Sequence, residues 1–494
     1  MSIISKLKNY LLPSLIGRGK GVGLFALIRE DKLFSAIYIA GTAVAIASAM
    51  VIAIVFNMLL ADIPPEVNRS RTLYPYGTFI KVSDQENGRV AHHYGFSSTA
   101  LDSCFRQMAC VEAATGIIPA YQNNFAIEGE EQQRQGQYEA PRVSAIATDH
   151  DFFRIYDLDF IDGRPFSKKE SDGGERVCVI TDKLWNKLTG EAEAPLSSPE
   201  GDTIPLTSIS IVAPSEAEGG GTSFRVVGVV KAVSAFLEEA TADIYVPYLV
   251  GGLGLHPNNQ YPWRTGDNYV DVTYDGNLSV RILLREGFTL KDFDAELEPL
   301  RQQYSAVISS QLGEKVEWAV MARTHFFHKI NFFRPDGTDD QGLALAAKNL
   351  MPPAILMLLF LFLPAINLSG LVSNRMEARR AEMGIRKAFG AKRRTLLNEV
   401  IHENLMLTLL GGIVGWVLSA LFVAAIRNNQ VFLQIFVSAD QSVVDTGMQF
   451  QMFFTPTLFI IVFLCCVLLN LMAALIPAWR SLRNPIVESL NQKR

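Results

Sequence analysis

Hydrophobic and polar residues separate along this chain into four long apolar runs and one long mixed region. The first run, 35–60, has Asn57 as its only strongly polar side chain. The others cover 351–372, 405–426 and 458–478. At a helical rise of 1.5 Å per residue, roughly 20 residues cross a hydrocarbon layer about 30 Å thick. Inside hydrocarbon only helices or closed barrels satisfy the backbone. The pattern therefore predicts four transmembrane helices. The first run is too long for the apolar part of a secretory signal, starts after 34 residues, and is followed by no clean small-residue cleavage site. It reads as a retained anchor.

The mixed region, 61–350, lies between the first and second apolar runs and is long enough for two subdomains. Short alternating or apolar runs predict strands at 78–82, 142–147, 177–180, 224–230, 244–248, 270–274, 279–284 and 316–321. Helical spacing predicts helices at 98–108, 182–188 and 290–309, the last with Phe293, Leu297, Leu300, Tyr304 and Ile308 on one face. Strands and helices mixed in this way predict an α+β domain with largely antiparallel sheets. Segment 191–221 is rich in Glu, Ser, Pro and Gly and reads as loops. The fold class expected is thus a membrane α-helical protein with four transmembrane helices and a large α+β extracytoplasmic domain inserted between helices 1 and 2.

Charge sets the expected orientation. Of 45 Lys+Arg and 50 Asp+Glu, 19 and 9 lie outside 61–350, so the flanks are basic and the insert acidic. Lys6, Lys8, Arg18, Lys20, Arg29 and Lys32 precede the first run, Arg375 to Arg394 follow the second, and Arg480, Arg483, Lys493 and Arg494 follow the fourth. The positive-inside rule places these stretches in the cytoplasm. The chain then divides into a cytoplasmic segment 1–34 with room for an interfacial helix, a first span 35–60, the extracytoplasmic domain 61–350, and a second span 351–372. A cytoplasmic loop 373–404, a third span 405–426, an outer loop 427–457, a fourth span 458–478 and a cytoplasmic tail 479–494 complete it.

Catalytic chemistry is sparse. No G-x-x-x-x-G-K-[ST] phosphate loop occurs, and Gly17-Arg18-Gly19-Lys20-Gly21 lacks both its spacing and its hydroxyl residue. His325 and His328 have the spacing of two metal ligands on one helix face, yet no carboxylate or Cys pattern completes a set. Asp149-His150-Asp151 reads as a solvated turn. No Gly-x-Ser-x-Gly or Cys-His protease pattern is present. No cofactor, metal or nucleic-acid partner is expected. Cys465 and Cys466 fall in the fourth span, where a thiol behaves as a small apolar group. Of Cys104, Cys110 and Cys178 in the insert, Cys104 and Cys110 are the nearest candidates for a disulfide, with free buried thiols as the alternative. The spans carry no charged residue, which fits a mechanical bundle better than a conducting pore.

The loop at 373–404 contains Glu382-Met383-Gly384-Ile385-Arg386-Lys387-Ala388-Phe389-Gly390-Ala391. Helix-favouring residues dominate, Gly384 is expected to interrupt the helix, and Gly390 to cap it. Charge alone explains such a loop as a topology signal. It does not explain Met383, Ile385 and Phe389 set among the charges, which suit an amphipathic helix presented to a groove on another protein.

These ten residues, followed by Glu399 and Glu403, resemble the signature of the MacB/FtsX-like (type VII) ABC transporter permeases, roughly E-x-G-I-R-[KR]-A-[LF]-G-A. The stretch 151–166, with Phe152-Phe153, Leu158 and Gly163-Arg164-Pro165-Phe166, is similar to part of the MacB-type periplasmic core domain, as is the strand order around 177–188 and 224–230. The resemblance implies a permease that is not itself an enzyme. It implies a cytoplasmic ABC ATPase subunit that binds ATP and Mg, and a second permease subunit, identical or related. A periplasmic adaptor or substrate protein and membrane lipid are further implied partners. Residues Glu382 to Ala391 would contact the ATPase, Arg386 and Lys387 through charge-assisted bonds, with Gly384 allowing close approach. Because such ATPases are often fused at the N-terminus and no phosphate loop is found here, a separate ATPase is expected. Hydrolysis would move the helices and work the periplasmic domain, a mode called mechanotransmission, in a cell inner membrane with both termini cytoplasmic. The role expected is export or efflux of peptides or drugs from the periplasm. Lipoprotein release or regulation of a cell-wall hydrolase are alternatives within the family, and a non-ABC transmembrane sensor or a membrane-anchored enzyme outside it.

Overall fold

A computed structural model of the chain describes residues 32–82, 90–93, 95–118, 124–126, 132–134, 137–139, 142–189, 224–233, 239–250, 257–258, 263–265, 268–270, 273–313, 315–330, 351–352, 354–355, 358–359, 362, 369–426 and 456–483. The chain forms two compact units, a helical one containing Met1–Met58, Leu343–Asn429 and Phe450–Arg494, and an α+β one built on Leu59–Gly342.

In the α+β unit the described strands are β1 (Thr72–Val82), β2 (Val90–His93), β3 (Val111–Ile117), β4 (Asn124–Ala126), β5 (Gln132–Arg134), β6 (Gln137–Glu139), β7 (Arg142–Thr148), β8 (Phe160–Gly163), β9 (Val177–Thr181), β10 (Arg225–Val230), β11 (Ile244–Pro247), β12 (Trp263–Thr265), β13 (Asn268–Val270), β14 (Ser279–Leu284) and β15 (Val316–Thr324). One sheet is antiparallel in the order β15-β1-β14-β3, with β2 paired to β1. A second has the order β4-β7-β11-β9-β10-β8. There β9 and β10, and β7 and β11, run parallel, while the other three pairings are antiparallel, so the sheets are largely antiparallel as expected and this one is mixed. Parallel neighbours need a long crossover, and the helix Asp182–Thr189 lies in the one between β9 and β10. The strands β5 and β6, and β12 and β13, form separate two-stranded pairs.

Most predicted elements are present at shifted bounds, as with the helix Leu290–Leu312. The helix expected over 98–108 stops at Ser103 and continues as a 3-10 turn, Phe105–Gln107. Of the strand expected over 270–274, Val270 ends β13, 271–272 lie outside the described residues, and 273–274 are a turn. Its Thr273 and Tyr274 carbonyls instead accept from Ser97 Oγ (2.6 Å) and Ser97 N (3.0 Å), which makes a turn against the helix Ser98–Ser103. Segment 191–221 lies outside the described residues.

The two sheets meet where Ile118 and Ala147 exchange backbone hydrogen bonds of 2.8 and 3.2 Å. Beside this bridge Asp149 accepts from Thr115 Oγ1 (3.0 Å), the Gly116 amide (3.0 Å) and the Asp151 amide (2.9 Å). The Arg106 guanidinium lies 3.1 Å from Asp149 and 3.0 Å from Asp151. Both carboxylates are buried. The Asp149-His150-Asp151 stretch is therefore no solvated turn: its acids form an ionic staple between the sheets, with a partner 45 residues upstream that local pattern does not reveal.

In the helical unit the labelled helices are α1 (Lys32–Leu60), α2 (Arg380–Ala388), α3 (Arg393–Ile426) and α4 (Pro456–Arg483). Among the described residues three helices are long and apolar enough to cross a membrane, over Lys32–Ile54, Arg393–Phe422 and Phe459–Trp479. Half of the expected second span, 351–372, falls outside the described residues, as do all of 1–31, 427–455 and 484–494. Helix α3 approaches α1 closely at two glycines one turn apart. A Cβ on Gly411 would lie 2.7 Å from the Thr42 side chain, and one on Gly415 2.7 Å from the Ala43 carbonyl oxygen. Small residues at four-residue spacing let helix backbones pack in this way, and a Tyr38 hydroxyl to Thr408 hydroxyl bond of 3.1 Å joins the same pair.

The short helix Lys168–Asp172 is fixed by a capping box between Ser167 and Glu170. Arg164 adds two bonds of 2.8 Å to the Glu170 carboxylate. The Arg164 guanidinium, helped by Ser167, holds the Glu170 carboxyl down at about 2. A depressed folded-state value contributes stability that is present above the ordinary carboxyl range and lost as pH falls towards about 2. The full chain in detergent should therefore lose more stability between pH 5 and 2.5 than its Glu170→Gln variant, measured by denaturant midpoint. Parallel pH profiles would contradict this.

Candidate functional site

Helix α2 places the ten signature residues. Gly384 does not interrupt it, because its amide and carbonyl continue the helix from Arg380 to Ala388. Its end matches expectation: Gly390 has φ +91°, a value that costs a residue without Cβ little. The Ala391 amide donates to the Arg386 carbonyl and the Gly390 amide to the Lys387 carbonyl, each at 3.0 Å. That is the Schellman pattern, and it reverses the chain sharply into α3.

Successive side chains step about 100° around a helix, so Ile385 and Phe389 lie opposite Met383. The structure follows this geometry. Met383 is buried in a cluster with Phe34 and Tyr38 of α1, Met376, Leu396, Val400 and Leu407 of α3, and Ala474 of α4. Ile385 is 49% and Phe389 89% exposed. The expectation that all three apolar side chains face a partner is corrected for Met383: it anchors α2 to the bundle, while Ile385 and Phe389 point outward.

Charges hold α2 in place. Arg386 makes two bonds of 3.1 Å to the Glu399 carboxylate of α3, and also pairs with Glu382 one turn earlier. The Glu399 carboxylate raises the basicity of Arg386 further. Partial burial, with Arg393 nearby, lowers that of Lys387. One turn beyond Glu399, the buried Glu403 pairs with Arg375 and, at 3.3 Å, with Arg379. The Arg375 guanidinium also lies 4.4 Å from the centroid of the Phe34 ring, a favourable cation–π distance. Arg375 and Arg379 were missed as a site in the sequence. The signal was present as two (i, i+4) pairs, basic at 375 and 379, acidic at 399 and 403, on either side of a turn.

Cys104 and Cys110 are free thiols, which overturns the proposed disulfide. Cys104 Sγ faces the Ser103 hydroxyl at 3.8 Å, and Cys110, whose amide donates to Glu296, is packed in the apolar core. Cys178 is likewise a free buried thiol. His325 and His328 are taken by other partners: His325 Nδ1 lies 2.8 Å from the Tyr74 hydroxyl, and His328 Nε2 3.2 Å from Glu239 Oε1. Burial lowers the basicity of His328, against the pull of Glu239.

The family described as MacB-like periplasmic core domain matches residues 35–300, more than half of the chain, and the family described as FtsX-like permease C-terminal matches 354–486. The chain is a MacB/FtsX-like ABC transporter permease. Helix α2 lies inside the FtsX-like match. The Pseudomonas putida pyoverdine export ATP-binding/permease protein PvdT is 21% identical over 389 residues, 77% of this chain and 48% of that protein. The Bdellovibrio bacteriovorus macrolide export ATP-binding/permease protein MacB is 24% identical over 254 residues, 51% of this chain and 32% of that protein. An ABC transporter permease of Bacillus subtilis, YvrN, is 24% identical over 56% of each chain. The permease thus spans at most about half the length of the exporters it matches. The periplasmic region of MacB from Actinobacillus actinomycetemcomitans superposes loosely, at 12% identity and TM-score 0.29, covering 53% of this chain and 94% of that one.

The two faces of α2 should separate by mutation. Met383→Ala should cost about 2–5 kcal/mol by leaving a cavity in the cluster, whereas the partly exposed Ile385→Ala should stay within about 0.5 kcal/mol. Thermal unfolding in detergent reads both, and equal shifts would count against the assignment of faces.

Proposed function

We propose that this permease couples nucleotide-driven motion of a cytoplasmic ABC ATPase, which binds ATP and Mg, to its α+β domain on the periplasmic side of an inner membrane. The observation that carries the reading is the split of α2: one side chain, Met383, is sunk in the helical bundle while Ile385 and Phe389 stand out from it. An exposed apolar pair at four-residue spacing, backed by a buried face, suits insertion into a groove of another protein. Glu382 to Ala391 form the docking element, in a permease that works as a dimer with both termini cytoplasmic.

Two relatives are named for export, of pyoverdine and of macrolides, and export is the direction we favour, with peptides or drugs taken from the periplasm as substrate class and a periplasmic adaptor as a further partner. The apolar spans, with charge confined to their ends, support a mechanotransmitting bundle over an ion-conducting path.

The test is mass spectrometry of proteins that co-purify from native membranes with the tagged chain and with an Ile385→Asp, Phe389→Asp double variant. An ABC ATPase should accompany the native chain and drop by at least about tenfold with the variant, since two buried apolar anchors are each worth around 1.5–3 kcal/mol. Gly384→Pro should have the same effect, because proline removes a helical hydrogen bond and clashes with the preceding turn. An ATPase retained at native levels by both variants would refute the docking assignment.

A further inference from the structure

The signature arginine of α2 is the part of the docking element whose partners are already filled within the chain. Arg386 lies with its two 3.1 Å bonds on Glu399 of α3, and Glu382 occupies its other edge. Glu399 and Glu403 are one helical turn apart, so they lie on the same strip of α3. Their partners come from consecutive places in the chain: Arg375 and Arg379 before α2 on Glu403, Arg386 within α2 on Glu399. Between them Met383 is inserted into the apolar cluster that α3 shares with α1. The docking helix is therefore tied to α3 at three consecutive levels, one buried and ionic, one apolar, one exposed and ionic.

We infer that Arg386 is a positioning residue that grips α3 through Glu399, so that displacement of α2 is delivered to α3, and that it does not itself bind the ATPase. The inference rests on the docking reading and refines it: Ile385 and Phe389 face the partner, while Arg386 faces the permease. The exposed Arg386–Glu399 pair is the level at which grip can be changed without unfolding the bundle, because pairs this open to water contribute little to stability. With Nη1 donating to both Glu399 oxygens and Nη2 donating to Glu382, these charge-assisted bonds nevertheless fix direction, which a single apolar contact does not.

The experiment compares the full-length native chain with Arg386→Gln, Glu399→Gln and the exchanged double variant Arg386→Glu, Glu399→Arg. Three readouts are taken: amide hydrogen exchange over 385–391 in the purified chain, co-purification of an ABC ATPase, and the change in exchange across the α+β unit when ATP with vanadate is added to the complex. Each single variant should raise exchange over 385–391 by roughly two- to fivefold, the loss expected for one exposed pair. ATPase capture should stay at the native level, the nucleotide response of the α+β unit should fall, and the exchanged pair should restore both exchange and response. Loss of ATPase capture in Arg386→Gln that the exchanged pair does not restore would overturn the inference alone, since the guanidinium would then bind the ATPase directly. Unchanged exchange in both single variants would overturn it too, as there would be no grip to lose. Failure of the native chain to capture any ATPase would overturn the docking reading and this inference with it.

Discussion

Glu403 has 7% of its side chain exposed near the start of α3, and a carboxylate so far from water stays charged only beside a cation with good geometry. Two cations meet that need, Arg375 and Arg379, one turn apart on the segment leading to α2. Removing either side of such a pair costs about 3–5 kcal/mol because an unpaired buried charge remains. The pairing therefore fixes how the residues before α2 lie against α3. Once that is fixed, the sharp reversal at Gly390 leaves α2 a single placement, with Met383 in the shared apolar cluster and Arg386 over Glu399. Exposure of Ile385 and Phe389 follows from that placement. The outward face of α2 is thus a consequence of an ion pair it does not contain.

The α+β unit uses buried charge for a comparable purpose. Asp149 and Asp151 with Arg106 hold the two sheets at their junction. Elsewhere Glu239 pairs with Arg281 of β14, with His328 at 3.2 Å and with Lys329 at 3.7 Å. Burial pushes the Glu239 carboxyl up, yet Arg281, His328 and Lys329 together keep it well below the usual range. Such clusters add little net stability over an apolar core of equal volume. What they do is penalise every arrangement that separates the partners, because each separated group would stay dry and charged.

Much of the architecture was legible in the sequence because it depends on local periodicity. The apolar spans, β9, β14 and the helix Leu290–Leu312 are all written in runs or in three- and four-residue steps. What stayed hidden depends on distance along the chain. Nothing near Asp149 announces its Arg106, and the matched spacing of Arg375 and Arg379 with Glu399 and Glu403 gains meaning only once the chain reversal between them is known. Strand β3 was missed because Glu112, Ala113, Ala114 and Gly116 interrupt Val111–Ile117 with residue types depleted in strands. The structure supplies the reason for such small residues: a Cβ on Gly116 would lie 2.7 Å from Leu278. Likewise the ten signature residues could be found, but not their facing, since the sequence shows amphipathic character without saying which side the bundle claims.

The placement of β1 and β15 bears on how this unit resists opening. β1 and β15 pair antiparallel from Leu73↔Thr324 to Val82↔Val316, with an irregularity between Pro75 and Gly77 where proline offers no amide to the ladder. The start of β1 and the end of β15 therefore lie together at one end of the strand pair. Opening from that end would break the ladder one hydrogen bond at a time, where shear would load the ladder together. That end carries a cluster of side-chain contacts on Tyr74: His325 at 2.8 Å from its hydroxyl, His328 stacked on its ring at 4.4 Å, and the Arg281 guanidinium over the same ring at 4.9 Å. Tyr74 stands beside Arg323 in the ladder, next to the pair formed by Leu73 and Thr324. The residues that close the mouth of the strand pair are therefore the ones on which its resistance to opening depends.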